Sequence, residues 1–358
     1  MDKKRIISIY NTMLALRSQS RLLLQASIFS SESMAVRCFG TKISASMVKE
    51  LREQTGSPLM ECKKALTASK GDMAGASDWL RKQGIAIAAK KADRATNDGL
   101  VGIMDDGLRQ AAAVLVSSET DFVARNKAFV DFVSKTNKIA LEGAVKDVED
   151  LKSKGFDGQD TVATTLTNLT ATLGENLDLK DARCFSSENG VVGTYIHNKR
   201  GDNAGTQGSV VVIDSDKLLE ADEAEKVRNF ANSLSLHLVG MGANFLDGVP
   251  DDVLAKETEL ETERLRKEAL KGKTEAPAED VLQKRVKKKV DKVLKKLREE
   301  SVLMEQVFVS MDQDAKKQKV SKLLNSVGSS VGAKLSIPLA ARFNIGVEPT
   351  ILSPVEKK

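Results

Sequence analysis

Cysteine is scarce. Cys38, Cys62 and Cys184 are the only three in 358 residues, too few for a disulfide framework and not at metal-ligand spacing. A reducing compartment is the expectation. Six prolines and 24 glycines exclude collagen-like or proline-rich character. Aromatics make up only 4% of the chain, so Leu, Val, Ile, Ala and Met must build its cores. No run reaches the roughly 18–20 apolar residues that span a bilayer, so no membrane partner is expected. The two histidines, His197 and His237, stand in no Cys–His–Asp or Ser–His–Asp spacing, and neither HExxH nor CxxC occurs. The nearest thing to a phosphate loop, Gly328-Ser329-Ser330-Val331-Gly332-Ala333-Lys334, has its glycines one residue too close. Its Lys does not follow Gly, and it reads as a turn before a strand. These absences point away from an enzyme and toward a protein that works by binding. No cofactor, metal or small-molecule substrate is assigned.

What is present is unevenly distributed. The net charge is +5. Residues 1–39 carry six basic and two acidic groups, which leaves the other 319 residues almost neutral, at +1. The same 39 residues are rich in Ser and weakly amphipathic, with Ile6, Ile7, Leu14, Leu16 and Leu22 between basic side chains. That composition reads as a mitochondrial transit peptide, since a positive amphipathic helix is drawn toward a negative interior. Arg37-Cys38-Phe39 resembles a matrix-protease cleavage pattern. The expected location is the mitochondrial matrix, with a plastid as the lesser alternative.

Beyond the leader, residues 43–84 predict three short helices. Ser44 caps the first, which Gly56 stops; Ser57-Pro58 restarts the chain; Gly71 ends the second helix. Asp72 caps the third, which carries Met73, Ala76, Trp79 and Leu80 and is expected to end at Gly84. A linker follows at 92–98. Two apolar, β-rich runs at 100–104 and 111–118 flank Asp105-Asp106-Gly107, a hairpin turn. Residues 126–141 and 222–240 show helical periodicity. Between them, 191–197 and 209–213 read as a second hairpin around a polar loop at 198–208. Two long helical patterns, 251–270 and 278–304, read as a helical hairpin. The tail predicts a strand at 307–310, a helix at 320–327 and a strand at 334–345. The fold class is therefore α+β: an N-terminal three-helix domain, a two-part core with small antiparallel sheets and flanking helices, and a helical hairpin insertion.

Three constellations carry candidate function. Thr120-Asp121-Phe122-Val123-Ala124-Arg125-Asn126 lies where an apolar strand ends and a helix begins. Thr120 or Asp121 could merely cap that helix while Phe122 enters the core. Alternatively, an acid beside a large apolar group on a rigidly based tip could wedge into a partner. Residues 284–298 hold nine basic side chains and one acid, Asp291, with Val286, Val290, Val293, Leu294 and Leu297 on one stripe. They form either a solvated face or a phosphate-contacting surface. No aromatic interleaves them, so base stacking is not expected. His237, alone on its helix, receives no role from spacing.

The 120–126 segment resembles the signature of the translation elongation factor Ts family. So does Ser46-Met47-Val48-Lys49-Glu50-Leu51-Arg52-Glu53-Gln54-Thr55-Gly56, followed by Met60-Glu61-Cys62-Lys63-Lys64-Ala65-Leu66. Similarity is dense over 43–142, and the leader directs it to the family's mitochondrial branch. The resemblance implies a ubiquitin-associated-like helical domain at 40–92 and a core N-terminal subdomain at 93–215. It further implies a C-terminal subdomain from 216–250 and 306–349, a hairpin insertion at 251–305 and a tail at 350–358. It implies guanine nucleotide exchange on elongation factor Tu, with Asp121 and Phe122 inserting beside the GTPase's magnesium site. Thr120, Val123 and Arg125 complete that contact. Arg52, Leu59 and Met60 map to a contact from the first helices, and His237 to one from the core. The chain departs from the bacterial pattern at Lys287-Lys288-Lys289, where a glycine and an aromatic are usual. No direct nucleic-acid contact is expected; the competing reading is an RNA- or ribosome-binding adaptor.

Overall fold

The computed structural model describes residues 43–158, 160–270, 279–309 and 317–355. The leader and its cleavage motif lie outside the described residues. The first element, α1 (Ala45–Thr55), begins at Ser44, whose Oγ accepts from the Met47 amide at 3.2 Å, and ends at Gly56 with φ of 67°. The left-handed backbone there suits glycine, which has no Cβ to clash. Pro58 is the N-cap of α2 (Leu59–Ala68). Asp72 caps α3 (Met73–Lys91) through its carboxylate and the Gly75 amide, 2.9 Å apart. Val48, Leu51, Cys62, Ala65, Leu66 and Ala76 close the bundle, with Trp79 and Leu80 at its edge.

The strands β1 (Asp98–Asp105) and β2 (Gln110–Ser118) form the expected hairpin. Its turn is held by Asp106, whose Oδ1 accepts from the amides of Leu108, Arg109 and Gln110 at 2.8–2.9 Å. A short helix, α4 (Asp121–Ala124), follows, then α5 (Lys127–Glu142), capped by Asn126. The chain continues through α6 (Val148–Ser153), β3 (Gly155–Asp157), β4 (Asp160–Thr161), α7 (Val162–Leu173) and β5 (Leu177–Ser186). None of these last five elements was expected. Next come β6 (Val191–His197), β7 (Ala204–Gly205), β8 (Gln207–Ser215) and α8 (Ala221–Met241). The helical hairpin is α9 (Asp251–Leu270) and α10 (Glu279–Ser301), and the chain closes with α11 (Val320–Val331), β9 (Leu335–Asn344) and β10 (Thr350–Leu352).

Two four-stranded antiparallel sheets organise the core, in the orders β5-β2-β1-β7 and β10-β9-β8-β6. They pack face to face. Val101, Ile103, Ala113, Leu115 and Phe185 of the first meet Val192, Val210, Val212 and Phe343 of the second. The outer face of the first sheet lies under α5 and α7, where Val114 and Val116 meet Phe129, Val133 and Leu166. The outer face of the second lies under α8 and α11, where Val211 and Ile213 meet Val227, Leu234 and Leu324. Strands buried on both faces read as continuous apolar runs, which is why 111–116 was conspicuous. At Gly193 a Cβ would stand 2.3 Å from the Ala231 backbone carbon, so glycine is what lets β6 lie against α8.

Several expectations need correction. The third helix does not end at Gly84 but runs to Lys91. Gly84 keeps helical backbone and is buried, where a Cβ would only touch Ala171 of α7. β8 pairs with β6 on one side and with β9 on the other, so the strands at 191–197 and 207–215 share a sheet with 335–352 and not with 98–118. The 198–208 loop contributes β7, which crosses to β1 at Val101↔Gly205. No strand forms at 307–309; only a bridge joins Val307 to Lys319, and Ser310 lies outside the described residues. The α11 helix includes Gly328 and ends at Gly332, with φ of 62°, so 328–331 is helix rather than turn.

Candidate partner interface

The 118–125 segment rises from the end of β2, a strand buried at every position after Gln110. Its short helix is amphipathic in the smallest sense. Val123 and Ala124 are buried in the core below it, while Phe122 is 79% exposed. Phe122 therefore does not enter the core, and that alternative falls. An exposed phenylalanine of this degree stands out in a chain so poor in aromatics. Beside it, the Asp121 carboxylate pairs with the Arg125 guanidinium at 2.7 Å, both half exposed. Thr120 makes no side-chain cap; its amide and Oγ1 donate instead to Glu175, at 3.0 and 2.7 Å.

The base of the tip is fixed from both sides. Glu119 accepts from the Asn176 amide at 2.6 Å and faces Arg94 at 3.4 Å. The Asn176 hydrogen bond, helped by Arg94, holds the Glu119 carboxyl below the ordinary carboxylate range. Ser118 Oγ donates to the Thr120 carbonyl at 2.9 Å. Glu175 and Asn176 went unrecognised because the turn between α7 and β5 offers no motif. An isolated Glu-Asn after a glycine is an ordinary loop sequence.

On the helical bundle, Arg52 is exposed, and Leu59 and Met60 are 51% and 61% exposed on the first turn of α2. Their neighbours Cys62, Ala65 and Leu66 point inward, so the outer face of α2 presents an apolar pair that the bundle does not use. No hydrogen bond or ion pair among the described residues joins these three to the tip.

Two expected contact residues are turned inward. Val123 anchors the tip from beneath. His237 is buried on α8, and its ring stacks on Phe308 with centroids 5.4 Å apart. The Val309 amide donates to Nδ1 at 3.2 Å, which leaves the proton on Nε2 to donate to Gln306 Oε1 at 3.0 Å. Burial pushes its pKa down, against the Gln306 hydrogen bond, so the ring is neutral. His237 thus shapes the surface through the segment it holds. Val307 and Val309, both 48% exposed, are the side chains that reach solvent there.

The basic helix behaves as an amphipathic partner of α9. Val286 and Val290 are buried against Leu265 and Leu294. Lys284, Arg285, Lys287, Lys288 and Lys289 are exposed. Among the described residues, no three His, Cys, Asp or Glu side chains gather as a metal site, and no helix is long and apolar enough to cross a membrane. The arrangement offers surfaces, with an exposed phenylalanine at one of them.

Comparison with known proteins bears on what meets those surfaces. The family model described as Elongation factor TS matches residues 119–347. The chain is 39% identical over 308 residues to Elongation factor Ts of Rhodospirillum centenum, covering 85% of this chain and 93% of that protein. It is 38% identical to Elongation factor Ts of Paramagnetospirillum magneticum, again over 308 residues, covering 85% and 92%. With Elongation factor Ts of Rhodospirillum rubrum the figures are 37% over 309 residues, 85% and 93%.

Proposed function

The chain belongs to the elongation factor Ts family, and we propose that it is the guanine nucleotide exchange factor of an elongation factor Tu in translation elongation. The observation that carries this is Phe122. It is a large apolar side chain held almost fully in solvent, beside a carboxylate, on a tip whose base is braced. Such a group is costly to expose and gains most when a cleft takes it up. Exchange follows from differential binding. A factor that holds the nucleotide-free GTPase better than the GDP-bound one weakens GDP by the same factor. Magnesium bridging the phosphates is the vulnerable element, because its loss leaves their charge uncompensated. Phe122 supplies the wedge and Asp121 perturbs the metal side. The α2 face, with Arg52, Leu59 and Met60, adds affinity without entering the nucleotide site. No covalent step is involved, and the factor needs no cofactor of its own.

Raising magnesium should therefore reduce the stimulated release of GDP, since the metal opposes the state that the factor stabilises. Stimulation that is indifferent to magnesium would refute this mechanism. The setting proposed is the mitochondrial matrix, on the strength of residues 1–39. A fusion of residues 1–45 to a fluorescent protein should enter mitochondria, and a diffuse cytosolic signal would sink that location.

A further inference from the structure

The turn between α7 and β5 touches two elements that the proposed exchange reaction must keep in register, and it does so through only three residues. On one side it holds the tip. Glu175 accepts both the Thr120 amide and the Thr120 hydroxyl, and the Asn176 amide donates to Glu119. On the other side it holds the segment leaving the helical bundle. The Asn176 side-chain amide donates to the Ala92 and Arg94 carbonyls at 3.3 and 2.9 Å, and Lys91 Nζ donates to the Gly174 carbonyl. Arg94 then closes the ring onto Glu119. Apart from the Arg94–Glu119 pair, these contacts link residues more than fifty positions apart, so they are tertiary ties and not local turn chemistry. Asn176 is buried, and its side chain sits between the two sides.

We propose that Glu175 and Asn176 are positioning residues for nucleotide exchange: Glu175 aims the Asp121-Phe122 tip, and Asn176 sets the helical bundle in register with it. This rests on the exchange function proposed above. The physical basis is that Phe122 has no core contacts to orient it. Its direction is set by a four-residue helix, and Glu175 grips Thr120, the N-cap of that helix. A single turn of helix has little stability of its own. With Glu175 removed, the Thr120 amide and hydroxyl would turn to water and the first turn would be free to fray. A wedge displaced by about an ångström loses much of its effect, as misplacement does in any reaction that depends on orientation. Asn176 acts at longer range. The two surfaces presented to one partner, the α2 face and the tip, gain from being linked at a fixed separation.

Glu175→Ala, Glu175→Gln and Asn176→Ala separate these roles. The readouts are the maximal rate of stimulated GDP release, the factor concentration giving half of it, and amide hydrogen exchange. Glu175→Ala should lower the maximal rate roughly tenfold with little change in thermal midpoint. Glu175→Gln should restore most of the rate, because an amide can still accept from the Thr120 amide and donate to its hydroxyl. In a Phe122→Ala background the further effect of Glu175→Ala should be smaller, since the Asp121 carboxylate is then all that it aims. Asn176→Ala should raise the half-saturating concentration more than it lowers the maximal rate. Amides of 120–124 should exchange faster in Glu175→Ala while those of 111–116 do not. Full activity of Glu175→Ala, no rescue by Gln, or an undiminished effect without Phe122 would overturn the role of Glu175. An unchanged half-saturating concentration in Asn176→Ala would overturn the role of Asn176. If the unaltered chain fails to stimulate release, the exchange function falls and the roles fall with it. Hydrogen exchange would then still decide whether Glu175 braces the tip.

Discussion

Phe122→Ala is the change whose outcome is most tightly constrained by the structure. The side chain is 79% exposed, so its removal opens no cavity and costs little folding stability, within about 0.5 kcal/mol as for most surface substitutions. Seven residues on, Phe129 is fully buried, and the same truncation there should cost about 3–5 kcal/mol. In the complex the order reverses. Taking Phe122 from solvent into a cleft contributes about 1.5–3 kcal/mol. If that energy is realised in the exchange-competent state, its loss slows stimulated GDP release by roughly tenfold or more, because about 1.4 kcal/mol corresponds to a factor of ten. Asp121→Ala breaks only an exposed pair with Arg125, worth at most about 1 kcal/mol to the fold. It should nonetheless slow release by a comparable factor. The double variant should fall short of the product of the two effects, since both side chains enter one cleft. Thermal midpoint and GDP release measured on the same preparations decide the matter. A large drop in midpoint for Phe122→Ala, or unchanged release from a well-folded variant, would refute the wedge.

Other regions make equally definite predictions. Changing Lys287, Lys288 and Lys289 together to Gln should leave GDP release within a few-fold, because the helix is held by the Val286–Val290 stripe and its exposed charges add little. A loss of about 100-fold would show the arm gripping the GTPase or an RNA. His237 is buried and neutral, so its folded pKa lies below the ordinary 6.5 and the unfolded chain binds the proton more readily. The stability it contributes is complete above 6.5 and is lost as pH falls through the folded value. The thermal midpoint should therefore decline from pH 7.5 to 5.5, and the decline should be shallower in His237→Gln. Equal slopes would mean that His237 is not the group responsible.

How much of this was legible in the sequence varied with the physics of each segment. Caps were legible because they are local: Ser44 and Asp72 each bond an amide three residues away. The hairpin at Asp105-Asp106-Gly107 was legible for the same reason. The doubly buried strands announced themselves by unbroken apolar runs. The 143–186 region did not. In α7, five threonines in twelve residues look unlike a helix. Their hydroxyls bond back along the helix, as Thr165 does to the Thr161 carbonyl and Thr167 to Ala163. β5 alternates acid and base, with Asp181 and Arg183 paired along one face at 3.0 Å. Gly84 was misread as a stop because nothing nearby says that α7 lies against it.

At the candidate site the division is similar. Asp121 and Phe122 stood out by position and type, and the structure presents both at the surface. Val123 shares their motif yet faces the core, a distinction that only the helical turn makes. His237 was assigned to the partner, but the Gln306 and Val309 contacts that bury it lie about seventy residues away. Glu175 and Asn176 were invisible for the same reason. Their meaning is entirely in what the fold brings to them.

The most direct test of the account is release of labelled GDP from mitochondrial elongation factor Tu, followed with and without residues 40–358 of this chain. The account predicts acceleration of at least about tenfold at saturating factor, with no nucleotide chemistry. GDP leaving at its intrinsic rate in the presence of a folded, saturating chain would contradict it.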